Sequence, residues 1–185
     1  RIIGGNFKGK KILPPRDGKT RPLRDLVKES IFNLLIHSNK LNFHIQNSSI
    51  IDLFSGSGSF GIECISRGAK NVTFVENYNG VLEILKKNII NLSTNNKIKI
   101  IEKNCFNYLD SSDLIENEYD LVFLDPPYKE KKISLLIRNI KKRKILKQNG
   151  VIILHRHKND NVEIKDNLNI LDERHYGISK IIFGN

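Results

Sequence analysis

The sequence predicts an α/β protein: a mostly parallel sheet with helices on both faces and an antiparallel hairpin at its C-terminal end. Three observations carry this. From Ser49 onward, short apolar runs alternate with stretches of helical spacing. The first of those runs ends in a glycine-rich turn that opens a helix. The last two runs flank His175-Tyr176-Gly177, a turn signal too short for a crossover helix.

Taken in order, Arg1 to Pro15 reads as a β-hairpin. Ile2-Ile3 and Lys11-Ile12-Leu13 flank Gly4-Gly5-Asn6 and Lys8-Gly9, and Pro14-Pro15 ends it. Asp17-Gly18 is a further turn. Pro22 opens a helix whose apolar positions, Leu23, Leu26, Val27, Ile31, Leu34 and Leu35, lie opposite Arg24, Lys28 and Ser38. Residues 39–48 form a polar linker. Strand 49–54 then leads to helix 59–67, strand 71–76 to helix 78–92, and strand 97–102 to a short helix near 105–116. Strand 119–124 ends at Asp125-Pro126-Pro127-Tyr128, and helix 131–146 precedes strand 150–155. Strands 168–173 and 177–183 close the sheet. Such alternation means parallel strands covered on both faces.

The chain has 185 residues and 39% hydrophobic content, enough for one domain with a full core. We divide it into a basic hairpin-and-helix extension, 1–48, and a core, 49–185, within one structural unit. No apolar run reaches membrane-spanning length, and no signal-peptide pattern opens the chain. Cys64 and Cys105 have neither zinc-finger nor disulfide-framework spacing, so buried thiols in a reducing, cytoplasmic setting are expected. Net charge is +11, which points to a polyanion such as nucleic acid. It is concentrated: residues 1–24 hold eight Lys and Arg against Asp17 alone, a net +7. A solvated lysine-rich surface would not cluster so, and a phosphate-binding arm is expected.

The chemistry-bearing stretch is Asp52-Leu53-Phe54-Ser55-Gly56-Ser57-Gly58-Ser59-Phe60-Gly61. Glycines 56, 58 and 61 have G-x-G-x-x-G spacing, which lets backbone N–H groups approach a ligand at a helix N-terminus. Glu76 follows Gly56 by 20 residues, at the end of the next strand, where a ribose finds its carboxylate. The same glycines serve a tight turn without ligand. The strand before, the helix after and the acid beyond favour a nucleoside cofactor. A dinucleotide and S-adenosylmethionine both place a ribose there. Asp52 leans toward the second, because an acid can face a cationic amino-acid end and would repel a pyrophosphate.

Asp125-Pro126-Pro127-Tyr128 lies at the carboxyl edge of the sheet, beside the glycine turn. Two prolines hold the backbone extended, so their carbonyls can face a pocket. Asp125 adds a carboxylate acceptor and Tyr128 a ring on which a base can stack. Alone these residues could be an ordinary strand-ending turn. After the glycine turn and Glu76 they suit an exocyclic amine.

These motifs resemble those of class I S-adenosylmethionine-dependent methyltransferases. Asp52 to Gly58 is similar to their first motif, Glu76 to their second acid, and Asp125 to Tyr128 to the fourth motif of amino-methylating members. Arg1 to Gly5, Lys8-Gly9-Lys10, Arg21-Pro22, Glu29 to Leu35 and Arg174 to Gly177 narrow the resemblance to bacterial 16S rRNA guanine-N2 methyltransferases of the RsmD type. It covers nearly the whole chain. It implies a Rossmann-like fold with a seven-stranded sheet, S-adenosylmethionine as cofactor and 16S rRNA in small ribosomal subunit particles as partner. We further expect a monomer that needs no metal.

By the resemblance, Asp52, Phe54, Gly56, Ser57 and Gly58 wrap the methionine and ribose, and Glu76 with Asn77 takes the ribose hydroxyls. Arg21 borders the methionine end, and Asn104-Cys105 match the adenine edge. Asn104 suits a helix N-cap equally well. Phe106 packs on the adenine or in the core, with core favoured. Asp125, Pro126, Pro127 and Tyr128 carry the transfer. The chain departs from the family at Leu23, at Asp25-Leu26-Val27-Lys28-Glu29, and at His155-Arg156-His157 after the fifth strand. The first two leave contacts to the methionine end or RNA open. The third is expected to leave the chemical motifs untouched, and no histidine is given a catalytic role. A DNA or other RNA amino-methyltransferase, a dinucleotide oxidoreductase and a non-catalytic RNA-binding protein are the rival readings.

Overall fold

The structure, a computed structural model, describes residues 1–16, 23–161 and 163–185. Strand β1 (Ser49–Asp52) lies inside the sheet, wholly buried, with β2 (Asn71–Val75) on one side and β4 (Tyr119–Leu124) on the other. β3 (Lys97–Ile101) flanks β2, and β5 (Leu146–His157) flanks β4, all parallel. β7 (Ser179–Gly184) runs antiparallel to β5, and β6 (Ile170–Tyr176) forms the edge. The strand order is β3-β2-β1-β4-β5-β7-β6. The order reverses between β1 and β4, which opens a crevice at their carboxyl ends.

Each strand divides its side chains between two cores, as a period of two requires. Ile50, Leu121 and Phe123 face one core, shared with Val27, Ile31 and Phe32 of α1 (Asp25–His37) and Phe60 of α2 (Ser59–Ser66). Ile51, Val122 and Leu124 face the other, with Tyr108 of α4 (Cys105–Leu109) and Leu136, Ile137 and Ile140 of α5 (Ile133–Lys142). Helix α3 (Asn79–Ile90) adds Leu85 to the first core. Extension and core therefore share one hydrophobic interior. The Phe60 and Phe123 rings stack at 3.8 Å, fixing the start of α2 over β4.

The expected N-terminal hairpin is not a strand ladder. Residues 1–16 close through Ile2 N–H to Lys10 O and Gly9 N–H to Ile2 O, both at 2.9 Å, but the N–H groups of Ile3, Gly4, Asn6 and Phe7 go to α2. Ile3 and Gly4 donate to the Glu63 carboxylate at 2.9 and 2.8 Å, and Phe7 donates to Ser66 Oγ at 2.9 Å. Gly5, at φ 74°, lies so close to α2 that a Cβ there would stand 1.9 Å from Ser66 O. The expected turn at Asp17-Gly18 and the helix start at Pro22 lie outside the described residues.

Helix α4 stops at Leu109, short of its expected end, because the Ser111 hydroxyl donates to Tyr108 O at 2.8 Å and turns the chain. β5 runs past its expected end to His157, since His155, Arg156 and His157 pair in register with Ile181, Lys180 and Ser179. The β6–β7 loop is two residues, Gly177-Ile178, with a positive φ of 59° at Gly177, as a type II′ turn needs.

Candidate active site

A cavity of about 440 Å³ opens at the carboxyl ends of β1 and β4. Asp52, the last residue of β1, and Asp125, the first after β4, both line it, with Phe54, Gly56, Ser57, Pro126, Pro127 and Tyr128. The sheet register produces this meeting: Asp52 pairs with Phe123, so the two chains leave the sheet side by side.

The glycine turn is built largely from its own hydrogen bonds. Ser55 donates N–H to Val75 O at 3.1 Å and Oγ–H to Asp52 O at 2.8 Å, and Gly58 N–H reaches Ser55 O at 2.8 Å. Gly58 caps α2 at φ 85°. A Cβ on Gly61 would lie 2.3 Å from the Phe74 ring. Gly58 and Gly61 thus serve turn conformation and helix–sheet packing. The N–H groups of Gly56 and Gly58 are bonded within the protein, to Glu76 and Ser55, while Gly56, Ser57 and Ser59 line the cavity.

Asp52 is 1% exposed, and its Oδ1 is buried with no hydrogen-bond partner. Burial pushes its carboxyl well above the usual range, and the Asp125 and Glu76 carboxylates push it further. The backbone N–H groups of Phe54 and Gly61 pull partly the other way. Glu76 is held by three backbone donors: Gly56 at 2.8 Å, and Asn77 and Tyr78 at 2.9 Å. This fixes the carboxylate at the end of β2, against the glycine turn.

Asp125 has a structural partner. His155 Nδ1 lies 2.8 Å from Asp125 Oδ1, and His155 Nε2 lies 2.9 Å from Ser179 Oγ. Arg156, 2% exposed, donates to the carbonyls of Pro126, Pro127, Tyr128 and Glu130 at 3.1–3.3 Å, and it is ion-paired with Asp160. The His155-Arg156-His157 run, expected to leave the chemical motifs untouched, therefore supports them directly. The Pro126 carbonyl, expected to be free for an amine, gives one lone pair to Arg156. Tyr128, 47% exposed at the rim, meets the His157 ring edge-on at 5.7 Å.

Residues 1–185 match the family model described as "Conserved hypothetical protein 95". The chain belongs to that family. Ribosomal RNA small subunit methyltransferase D of Haemophilus influenzae is 35% identical over 183 residues, covering 96% of this chain and 89% of that protein. A Buchnera aphidicola protein of the same name is 33% identical over 166 residues, covering 90% and 82% respectively. Among solved structures, yhhF of Escherichia coli, which carries the name of a methyltransferase, has 27% identity and a TM-score of 0.82 over 100% of this chain and 96% of that one. The resemblance to RsmD-type enzymes holds, as does the Rossmann-like class I methyltransferase fold.

In this member of the family the remaining expected residues divide. Gly58, Glu76, Asn77, Asn104 and Cys105 stand outside the cavity lining. Asn104 is the N-cap of α4, its Oδ1 accepting from Phe106 N–H at 2.9 Å. Burial pushes the Cys105 thiol up to about 12, as befits an inert structural thiol. Phe106 packs, partly buried, against the second core. Arg21 lies outside the described residues. Pro15, Leu23 and Arg24 line the cavity, so the basic extension contributes to it. Sequence reasoning misses His155, Arg156 and Ser179. Their one signal is a pair of basic residues ending an apolar strand, where burial demands partners.

Proposed function

We propose that this chain transfers a methyl group from S-adenosylmethionine to the exocyclic N2 of a guanine in small-subunit rRNA, acting as a monomer on ribosomal particles. The observation that carries the reading is the meeting of Asp52 and Asp125 at one cavity, on adjacent parallel strands. The relatives named as small-subunit rRNA methyltransferases support the choice of RNA.

The residues fit the cofactor. The unpartnered, buried Oδ1 of Asp52 is an acceptor that a cationic amino group would satisfy. Glu76, oriented by Gly56 N–H at the end of β2, is the acceptor this reading assigns to the ribose hydroxyls. When bound, S-adenosylmethionine supplies a methyl group on a sulfonium, activated for displacement.

The chain's own residues hold the amine and receive its proton. Guanine N2 is a weak nucleophile because its lone pair is delocalised into the ring. Asp125 has one oxygen on His155 and makes no other hydrogen bond among the described residues, so its second oxygen can accept from the amine. An acceptor there draws the nitrogen toward tetrahedral geometry and takes the proton it sheds. Holding N2 in line with the methyl lowers the barrier further. The base must leave its stack to arrive, and the exposed Tyr128 ring offers it a face at the rim.

The test is tritium transfer from labelled S-adenosylmethionine to unmodified small subunits, followed by nucleoside analysis. N2-methylguanosine is expected; label on another atom, or none, overturns the reading. Asp125→Ala should lower turnover by ~10²–10³, the usual effect of losing one well-placed polar group. Its affinity for the cofactor, measured by calorimetry, should stay within a few-fold of wild type. Near-normal turnover would remove Asp125 from the reaction.

A further inference from the structure

Three strand ends converge on Asp125. Asp125 leaves β4, His155 stands near the end of β5, and Ser179 opens β7. His155 and Ser179 are 8% and 5% exposed, and both line the cavity. The imidazole bridges them, Nδ1 to Asp125 Oδ1 at 2.8 Å and Nε2 to Ser179 Oγ at 2.9 Å.

A carboxylate only accepts, so Nδ1 carries the proton in this pair. In the neutral ring Nε2 then accepts, and the Ser179 hydroxyl donates. Turning the ring over would put carbon atoms against both partners, so two hydrogen bonds lock its orientation. A locked ring fixes the Asp125 carboxylate in turn. The side chain of Asp125, 26% exposed, would otherwise be able to turn away from the cavity into water.

We propose that His155, braced by Ser179, is a positioning residue: its Nδ1–H holds one oxygen of Asp125 so that the other faces the guanine amine. The inference rests on the reading of Asp125 as the acceptor for that amine. It gives the C-terminal β6–β7 hairpin a part in the chemistry, because Ser179 belongs to it. The His155 ring stays off the reacting atoms and acts only through Asp125.

Asn and Gln at position 155 separate positioning from space-filling. The amide nitrogen of Asn can occupy the place of Nδ1, whereas that of Gln reaches the place of Nε2. On small subunits, His155→Ala and His155→Gln should lose on the order of 10²-fold in kcat, as a misplacement near 1 Å does. His155→Asn should recover most of the loss. Cofactor affinity by calorimetry should match wild type in all three. Independently of activity, nitrogen-15 NMR of the histidine rings should show one Nδ1-bound proton in slow exchange, lost in Asp125→Ala. Asn and Gln are both polar, so their comparison decides even where the Ala variant fails to fold.

Wild-type kcat in a folded His155→Ala or His155→Gln, with Asp125→Ala inactive, overturns the positioning role and leaves the proposed function standing. An Nδ1 without its proton in wild type does the same. Full turnover by Asp125→Ala removes the acceptor, and this inference falls with it.

Discussion

Asp52 carries an unpaired oxygen inside the protein, with the carboxylates of Asp125 and Glu76 for neighbours. Its folded pKa is raised, so the folded, ligand-free protein keeps this proton to higher pH than the unfolded chain does. The unfolded chain ionises first, and stability falls as pH rises from about pH 4, the unfolded value, through the folded one. A cationic ligand needs the ionised form. Binding therefore releases a proton in that window, and affinity climbs with pH until the raised pKa is passed. Asp52→Asn should remove both effects. The ligand-free variant should melt at a higher temperature than wild type at neutral pH, while its affinity for S-adenosylmethionine falls and loses its pH dependence. Melting curves and calorimetry across acid to neutral pH check this. An unchanged melting temperature together with unchanged affinity would mean that Asp52 faces no cation.

At the level of the element, β5 does what its sequence hides. Its apolar half, Val151 to Leu154, is a core strand by inspection. Its last residues look like a solvated end and are not: Arg156 is buried and holds the loop after β4 by four carbonyls. Arg156→Leu removes the donor that those carbonyls share and breaks the ion pair to Asp160. It should cost about 3–5 kcal/mol in urea unfolding, the range for breaking one side of a buried pair. Arg156→Lys keeps the charge but not the fork, and should fall between. A variant within experimental error of wild type would show that the loop holds itself. The contrast marks what was legible. The sequence of strands and helices along the chain and the two acidic strand ends follow from periodicity and glycine spacing, both local properties. Hydrogen bonds between residues 30 apart, as from Arg156 to Pro126, leave no local trace. The N-terminal hairpin misled for the same reason: the N–H groups of Ile3, Gly4 and Phe7 found Glu63 and Ser66, some 60 residues away, instead of a facing strand.

Over the whole molecule, positive charge is concentrated at the N-terminal end of the chain. Residues 1–24 hold a net +7 of the total +11, and Lys8, Lys10 and Lys11 are exposed. The segment that carries them is nonetheless anchored. Glu63 holds its start, and Asn88 of α3 accepts from Leu13 N–H at 2.8 Å and donates to Leu13 O at 3.1 Å. The same Asn88 amide donates to Ser57 O in the glycine turn at 2.9 Å. The lysines are thus carried, exposed, on an anchored segment, where they can meet RNA phosphates. Replacing all three with Gln should weaken binding to small subunits at low salt. It should also flatten the salt dependence, by ~0.7 in log–log slope for each phosphate of single-stranded RNA that is no longer neutralised. Cofactor affinity should be unchanged, since exposed charges beyond ~8 Å are screened at physiological ionic strength. Pro15, Leu23 and Arg24 line the cavity and lie outside this prediction. Particle binding across a salt series, with calorimetry of the cofactor alongside, separates the outcomes. An unchanged slope would place the phosphate-binding surface elsewhere. A fall in cofactor affinity equal to the fall in particle binding would mean that the lysines act by holding the anchored segment on the glycine turn.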